Sequence, residues 1–404
     1  MTGRGRIDLV LVAVVLVLLA LGVQMVYSSS FLVARAEFGD DWYFMTRQLA
    51  WIALGLALLG ITAALDFRVW KPFSSALLVA SIIALVLVLV PQLADNRYGS
   101  SRWLKMGPLP SVQPSEFAKL ALVLYLANWL PAKGQWVSRF KSGAAPFLIV
   151  VGLISVLVML EPDMGTTFII CATAFSVFVV AGANLWHLVF AIVPGGIAVG
   201  IWAIIVEPYR FRRFLGWWDY ESDIAGKGWQ TYQTLVALGS GGVSGVGLGM
   251  SRQKAFYLPN AHTDSILAII GEELGFVGTC AVILLFALIG WRGMRIAARS
   301  ADPVARLLAV GLTSKIIWQT IVNIGAVTNS LPYTGVTLPF ISSGGSSLCI
   351  SLASIGILLS VSREATGDRP RVERPTKDSG PTRQKPVRRR GGVARAPAGG
   401  VAHA

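Results

Sequence analysis

Lys254, His262 and Asp264 stand close together in the segment SRQKAFYLPNAHTDSILAIIGEELG, Ser251 to Gly275. An apolar run follows at once, so these side chains belong where water meets an apolar phase. A carboxylate there is only partly solvated. Its affinity for a proton rises, which suits Asp264 to take one from a reacting hydroxyl. The competing reading is that Asp264 caps the helix that follows. His262 is the rival base, because an unperturbed imidazole titrates nearer neutrality.

Cations cluster around the same chemistry. Arg97, Arg102 and Lys105 lie in one polar segment, and Arg210, Arg212, Arg213, Lys227, Arg252 and Lys254 lie in another. They suit an anionic ligand, with ordinary solvated loop charge as the alternative. The stretch NSLPYTGVTLPFISSGGSS, Asn329 to Ser347, carries two prolines, three glycines and many hydroxyls into a final apolar run. Pro and Gly open the backbone, and amides freed at a helix start, here Ser342, Ser343, Gly344 and Gly345, can hold an anion. The run GSGGVSGVGLG at 239–249 also offers amides, but no Gly-Lys-Ser/Thr follows it, so it is not a phosphate-binding loop of that class.

The elements that must position these groups are membrane helices. Charged residues are 14% of the 404-residue chain and apolar residues 54%, which excludes an ordinary soluble enzyme. Apolar runs at 7–28, 45–65, 73–93, 115–130, 144–160, 164–181, 184–206, 265–290, 304–328 and 338–361 predict an all-α polytopic protein of ten transmembrane helices. They lack the alternation of a barrel strand. Basic residues sort the loops: Arg4 and Arg6; Arg68 and Lys71; Lys133, Arg139 and Lys141; Arg292, Arg295, Arg299 and Arg306 all fall on one side, which is then the cytoplasm. Both termini share that side. Segments 94–114, 207–264 and 329–337 face outward, the second being a large extracellular loop between helices 7 and 8.

Several ionisable residues interrupt the apolar runs: Glu116, Lys119, Glu161, Asp163, His187, Glu272, Glu273 and Lys315. Such residues are costly in a membrane and are functional candidates by default. Glu116 and Lys119 share a helix face, as a structural pair or a substrate-facing one. Glu161-Pro162-Asp163 reads as a short outer turn where carboxylates cost little. Lys315 needs a carboxylate or a wet cavity, and Glu272 and Glu273 are the candidates. His187 reads as an interfacial residue.

Residues 1–362 form the expected membrane domain and 363–404 a disordered basic tail. From Arg363 onward there are eleven Lys/Arg against four Asp/Glu, half of the formal net charge of +14. A solvated cytoplasmic tail touching anionic lipid explains that charge without nucleic acid. Cys171, Cys280 and Cys349 sit in apolar runs as small hydrophobes, with no disulfide framework or metal-ligand spacing.

Four long segments resemble one family. They are RWLKMGPLPSVQPSEFAK (102–119), EPYRFRRFLGWWDY (207–220), GWQTYQTLVALGSGGVSGVGLGMSRQKAFYLPNAHTD (228–264) and NIGAVTNSLPYTGVTLPFISSGGSS (323–347). In order and spacing they are similar to the RodA/FtsW family of peptidoglycan glycosyltransferases, and KAFYLPNAHTD is closer to its division branch than to its elongation branch. The chain departs from the family pattern at Ser343, where Tyr is usual, and at Asn260 (Glu), Ser265 (Phe) and Tyr220 (Pro).

The resemblance implies polymerisation of lipid II, a disaccharide-peptide on undecaprenyl pyrophosphate, at the outer face of the bacterial plasma membrane. Asp264 would be the catalytic base. Arg102, Lys119, Arg210, Arg213 and Lys254 would neutralise the departing pyrophosphate, with Glu116, His262 and the 342–345 segment completing the substrate site. It also implies a class B penicillin-binding protein as partner, since no transpeptidase domain is visible in the chain. No cofactor is assigned; a divalent cation could share the charge, and the sequence shows no ligand set that decides it. An elongation-type paralogue, a lipid II flippase and a non-catalytic scaffold are the other readings; a flippase would favour matched halves, and no convincing internal repeat is present. The charge pattern makes a direct prediction. A Cys at Lys227, in a chain otherwise freed of cysteine, should react with an impermeant thiol reagent in intact spheroplasts. Labelling only after lysis would reverse the orientation.

Overall fold

The computed structural model describes residues 7–97, 100–107, 109–184, 186–187, 217–226 and 228–366. Most of the expected seventh helix (184–206), both Arg210 and Arg213, and residues 367–404 lie outside them. Ten α-helices and one small sheet are described: α1 Leu9–Phe38, α2 Tyr43–Ala64, α3 Trp70–Val88, strands β1 Ala94–Arg97, β2 Ser100–Met106 and β3 Leu109–Val112, then α4 Pro114–Lys133, α5 Ala145–Leu160, α6 Met164–Val180, α7 Trp229–Ser240, α8 Ile266–Arg299, α9 Pro303–Val327 and α10 Gly345–Thr366.

Seven helical stretches among the described residues are long and apolar enough to cross a membrane: those of α1, α2, α3, α5, α8, α9 and α10, while α6 is apolar but shorter. Local chemistry sets their limits. The Asp8 carboxylate accepts the Leu11 amide at the start of α1, and Asp163 and Asp302 do the same for α6 and α9. The first helix runs to Phe38 rather than stopping near 28, and the Ser29 and Ser30 hydroxyls within it are satisfied on the Met25 and Val26 carbonyls four residues back. The last begins at Gly345 rather than 338, since Pro339 and the turn to Ser342 intervene.

The all-α expectation needs one amendment. Residues 94–112 form a three-stranded antiparallel meander, in the order β1-β2-β3, with Ala94 opposite Leu104 and Leu104 opposite Val112. Arg102 rides on its central strand.

Packing is inverted relative to a soluble bundle. The most apolar stretches of α9 and α10 are 72% and 83% buried, against 11% for α2. The outward faces are apolar instead, with Leu54, Ile61, Ile83, Val156 and Leu284 exposed to what is then lipid. The buried helices carry the polar side chains.

The eighth helix is broken. Gly275 has φ 69° and ψ −166°, a backbone state that a side chain would strain. The glycine run docks there. Val246 and Gly247 donate their amides to the Glu272 and Glu273 carbonyls, and Gly242 and Val243 accept from Phe276 and Val277. This replaces the helical bonds lost at the break, so the run's amides hold α8 rather than a phosphate.

Side chains complete the joint. Glu273 accepts from Lys254 Nζ at 2.8 Å and from the Ser28 hydroxyl at 2.7 and 2.8 Å. Glu272 gathers the Ser251 hydroxyl and the Arg252 amide. Lys254 is 3% exposed and also donates to the Gly249 carbonyl. The two glutamates therefore partner Lys254 and the 251–253 turn, not Lys315 as expected. Removing one member of a buried pair strands the other, at about 3–5 kcal/mol, whereas neutralising both removes the stranded charge. Lys254→Met should lower the thermal unfolding temperature of the protein in neutral detergent strongly, and Lys254→Met/Glu273→Gln should regain most of it. A double variant as unstable as the single one would show that the ion pair is not the source of the loss.

Candidate functional site

Lys315, Gln319 and Asn323 are spaced four apart on α9 and so share one face, which is entirely buried. Lys315 donates to the Ser354 hydroxyl on α10 at 3.3 Å, and the carboxylate whose field reaches it is Glu116. One turn on, Gln319 accepts from Lys119 at 3.0 Å and donates to the Thr337 carbonyl and the Ser347 hydroxyl at 3.0 and 2.9 Å. Lys119 also pairs with Glu116 at 2.9 Å. The last member, Asn323, donates to the backbone carbonyls of Asp264 and Val336 at 2.9 and 2.8 Å. The spine thus ends by clamping two separate segments together.

Between those segments lies the candidate centre. Asp264 is 8% exposed, with Oδ1 accepting from the Thr263 hydroxyl at 3.1 Å. It does not occupy the cap position of α8, which falls to Ser265. Across from it is Gly335, with φ 72° and no side chain. A β-carbon there would stand 3.6 Å from Asp264 Oδ2 and 3.9 Å from Arg102 Nη1. Aspartate and guanidinium therefore flank the same bare patch of backbone, whose left-handed conformation favours glycine.

Arg102 is held from behind. Its Nε and Nη2 donate to the carbonyls of Glu161 and Pro162 at 3.3 and 2.5 Å, and Nη1 lies 3.9 Å from Asp163. Asp163 also caps α6 through Thr166 and accepts from Gln113. The Glu161-Pro162-Asp163 turn is not the solvated turn the sequence suggests. Glu161 is fully buried, neither of its carboxyl oxygens has a hydrogen-bond partner among the described residues, and burial with the neighbouring Asp163 charge pushes its pKa up to about 9. It is a neutral acid at pH 7, so the turn brings a single negative charge to Arg102.

His262 packs its ring 4.4 Å from Phe44, and burial holds its pKa down to about 4. The imidazole is neutral at physiological pH. Its backbone carbonyl accepts the Ser343 amide at 3.0 Å, and the Ser342 amide returns to Leu338 while the Ser342 hydroxyl accepts from Leu338. The expected anion-binding amides of Ser342 and Ser343 are therefore already engaged in joining the two segments. Gly344 lies against Thr337, and the Trp51 indole fills the space over Gly345. Ser265, at a position where the resemblance leads one to expect Phe, shares a hydrogen bond with the Tyr333 hydroxyl. Asn260 holds a left-handed turn, φ 52°, that an amide side chain tolerates.

Of the sequence-predicted residues, the fold brings Asp264 and Arg102 to the same backbone position, Gly335, and joins His262 to Ser343 of the 342–345 segment. It sets Lys119 with Glu116, and Lys254 with Glu273, in buried pairs. Arg210 and Arg213 lie outside the described residues. Among the described residues no group of three or more His, Cys, Asp or Glu is arranged to hold a metal ion. Asn323 and Gly335 were not singled out from sequence. Asn323 had a visible signal, its four-residue spacing from Gln319 and Lys315. Gly335 had none, since its importance lies in what faces it.

The family of cell cycle proteins represented by FtsW, RodA and SpoVE matches residues 8–367. Stage V sporulation protein E of Bacillus subtilis (strain 168) is 41% identical over 362 residues, covering 90% of this chain and 98% of that protein. A probable peptidoglycan glycosyltransferase FtsW of Trichlorobacter lovleyi is 39% identical over 357 residues, 88% of this chain and 93% of its own. Among solved structures, a chain of a peptidoglycan synthase complex that coordinates polymerization and crosslinking superposes with a TM-score of 0.71 at 28% identity, covering 90% of this chain and 99% of that one. The rod shape determining protein RodA of Thermus thermophilus gives 0.65 at 29% identity, over 90% of this chain and 98% of its own. A match over nearly the whole membrane portion, in both sequence and fold, makes this chain a member of the FtsW/RodA/SpoVE family.

Proposed function

We propose that this chain is a peptidoglycan glycosyltransferase that polymerises lipid II, in the setting of cell division. The observation that carries the reading is the facing of Asp264 and Arg102 across Gly335. The acceptor sugar's 4-hydroxyl attacks the anomeric carbon at the lipid-linked end of the growing chain. A new glycosidic C–O bond forms, and Asp264 takes the hydroxyl proton. The bond from the anomeric carbon to the pyrophosphate oxygen breaks, and lipid pyrophosphate leaves with the electron pair. Arg102 is placed to neutralise that charge, and Arg210 and Arg213 are proposed to share the task. Such preorganised stabilisation is usually the largest catalytic contribution. Lys119 and Lys254 support the site through the buried partners they hold, Glu116 and Gln319 for the first and Glu273 and the Gly249 carbonyl for the second, rather than meeting the pyrophosphate.

Ten crossings with both termini in the cytoplasm, residues 207–264 outside the plasma membrane, and a separate basic tail at 363–404 complete the proposal. Two sets of contacts support the sidedness. Arg292 pairs with Asp8, and Arg68 pairs with Asp302 and Glu364, so helix ends assigned to the cytoplasm meet at one end of the bundle. The Asp264 centre is built at the other end, from the start of α8 and the end of α9. A class B penicillin-binding protein is the proposed partner, in keeping with the synthase complex that this fold resembles.

The decisive comparison is Asp264→Asn against His262→Gln, in glycan synthesis from lipid II by purified protein, alone and with its partner. Loss of a general base costs about 10²–10⁴ in rate, so Asp264→Asn should fall by that much while keeping its elution profile and partner binding. With its pKa near 4, His262 stays neutral above that value, so it should add no limb to the pH profile near 6.5. Near-normal synthesis by Asp264→Asn, or a limb near 6.5 that vanishes in His262→Gln, would move the proton transfer to the imidazole. No synthesis by the unaltered protein under any condition would favour a scaffold or a flippase.

A further inference from the structure

The end of the bundle opposite Asp264 holds a cavity of about 190 Å³ between the first turn of α1 and the last turns of α8 and α10. Its polar lining is Asp8, Arg292, Arg295, Arg299 and Ser362, over a floor that includes Ile296. Arg292 is matched by Asp8, with Nη2 2.5 Å from Oδ2. Arg295 and Arg299 are exposed, and among the described residues neither forms an ion pair. Among the described residues two positive charges thus remain unbalanced at one pocket.

Its surroundings fix the depth. Arg292 and Arg295 lie 5.5 and 5.2 Å from the ring of Trp291, which is 55% exposed. An exposed Trp beside arginines marks the level where headgroups meet acyl chains. From the cavity mouth an exposed apolar track runs along α1 through Leu9, Val10, Leu16 and Val17. The carbonyl ends of α8 and α10 favour cations here, so the arginines are stable before any ligand arrives.

We infer that this cavity binds the phosphate headgroup of an anionic phospholipid, whose acyl chains follow the apolar track of α1. A zwitterionic lipid brings no net charge to balance Arg295 and Arg299. A free phosphate would meet the guanidiniums and leave the track uncovered. Basic pockets between membrane helices take anionic headgroups for these reasons. The inference rests on these helices crossing a membrane and is independent of the glycosyl-transfer reading.

The test is native mass spectrometry of the full-length protein released from micelles doped with phosphatidylglycerol, cardiolipin or phosphatidylcholine. The unaltered protein should retain an anionic lipid in preference to phosphatidylcholine. Arg295→Gln/Arg299→Gln should weaken that retention about thirtyfold, from roughly one surface-lipid interaction per arginine. Its thermal unfolding in lipid-free detergent should match the unaltered protein. Asp8→Asn, which keeps an oxygen to cap α1 but frees Arg292, should retain the anionic lipid about fivefold more tightly. Equal retention by the double arginine variant, equal retention of phosphatidylcholine, or weaker retention by Asp8→Asn would each overturn the site. Displacement of the lipid by millimolar inorganic phosphate would assign the pocket to free phosphate instead.

Discussion

Deep in a bilayer a charge or an unpaired amide has no water to turn to, and this constraint organises the protein. Its clearest expression is the buried spine of Glu116, Lys119, Gln319 and Asn323. Each member takes its partner from a different segment: α4, α9, the 336–337 backbone, and the backbone of Asp264. Such a chain of bonds is costly to break at any point, because every group released would be left unsatisfied. It therefore acts as a ruler. The carbonyl of Asp264 and the carbonyl of Val336 are held by one amide group, so the two walls of the candidate centre cannot drift apart without exposing Asn323.

The same constraint explains how irregular backbone survives in the core. Gly275 breaks α8, and the glycine run at 241–247 supplies the missing hydrogen bonds, so the break is sealed by protein. The short first part of α8 can then start just after Asp264 while its longer part continues to Arg299. The candidate centre stands at one end of this helix and arginines at the other, with the apolar bundle between.

Charge type follows position. Lys119 and Lys254 are point charges, and each is absorbed by a glutamate it meets at close range. Arg102 differs because its planar fork offers several donors in fixed directions. Two of them grip the carbonyls of Glu161 and Pro162, and Nη1 still faces Gly335. A lysine at 102 could not be anchored and presented at once. The protonated Glu161 fits the same scheme, since a second carboxylate beside Asp163 would compete for the guanidinium.

Much of this was legible in the residues. The helical runs and the family itself follow from composition and long motifs, because membrane crossings and long blocks at set spacing leave direct marks on sequence, and the same segments carry the candidate residues Asp264 and Arg102. What the residues could not show was which charges face one another. Glu272 and Glu273 looked like partners for Lys315 because all three interrupt apolar runs. The break at Gly275 instead turns Glu272 onto the 251–253 turn and Glu273 onto Lys254, leaving Lys315 to Ser354 and the field of Glu116. Lys254 and Arg102 read alike as cations near an anion site, yet only packing decides that one is buried against a glutamate at 2.8 Å while the other, gripped by two carbonyls and 3.9 Å from Asp163, keeps Nη1 toward Gly335. The meander around Arg102 was missed because short strands in a polar loop carry no strong period. The amides of Ser342 and Ser343 looked free because their acceptors, Leu338 and His262, are fixed only when the chain closes. Sequence determines which groups must find a partner in a dry interior; the fold decides which partner each one finds, because that depends on segments hundreds of residues apart being brought within a hydrogen bond.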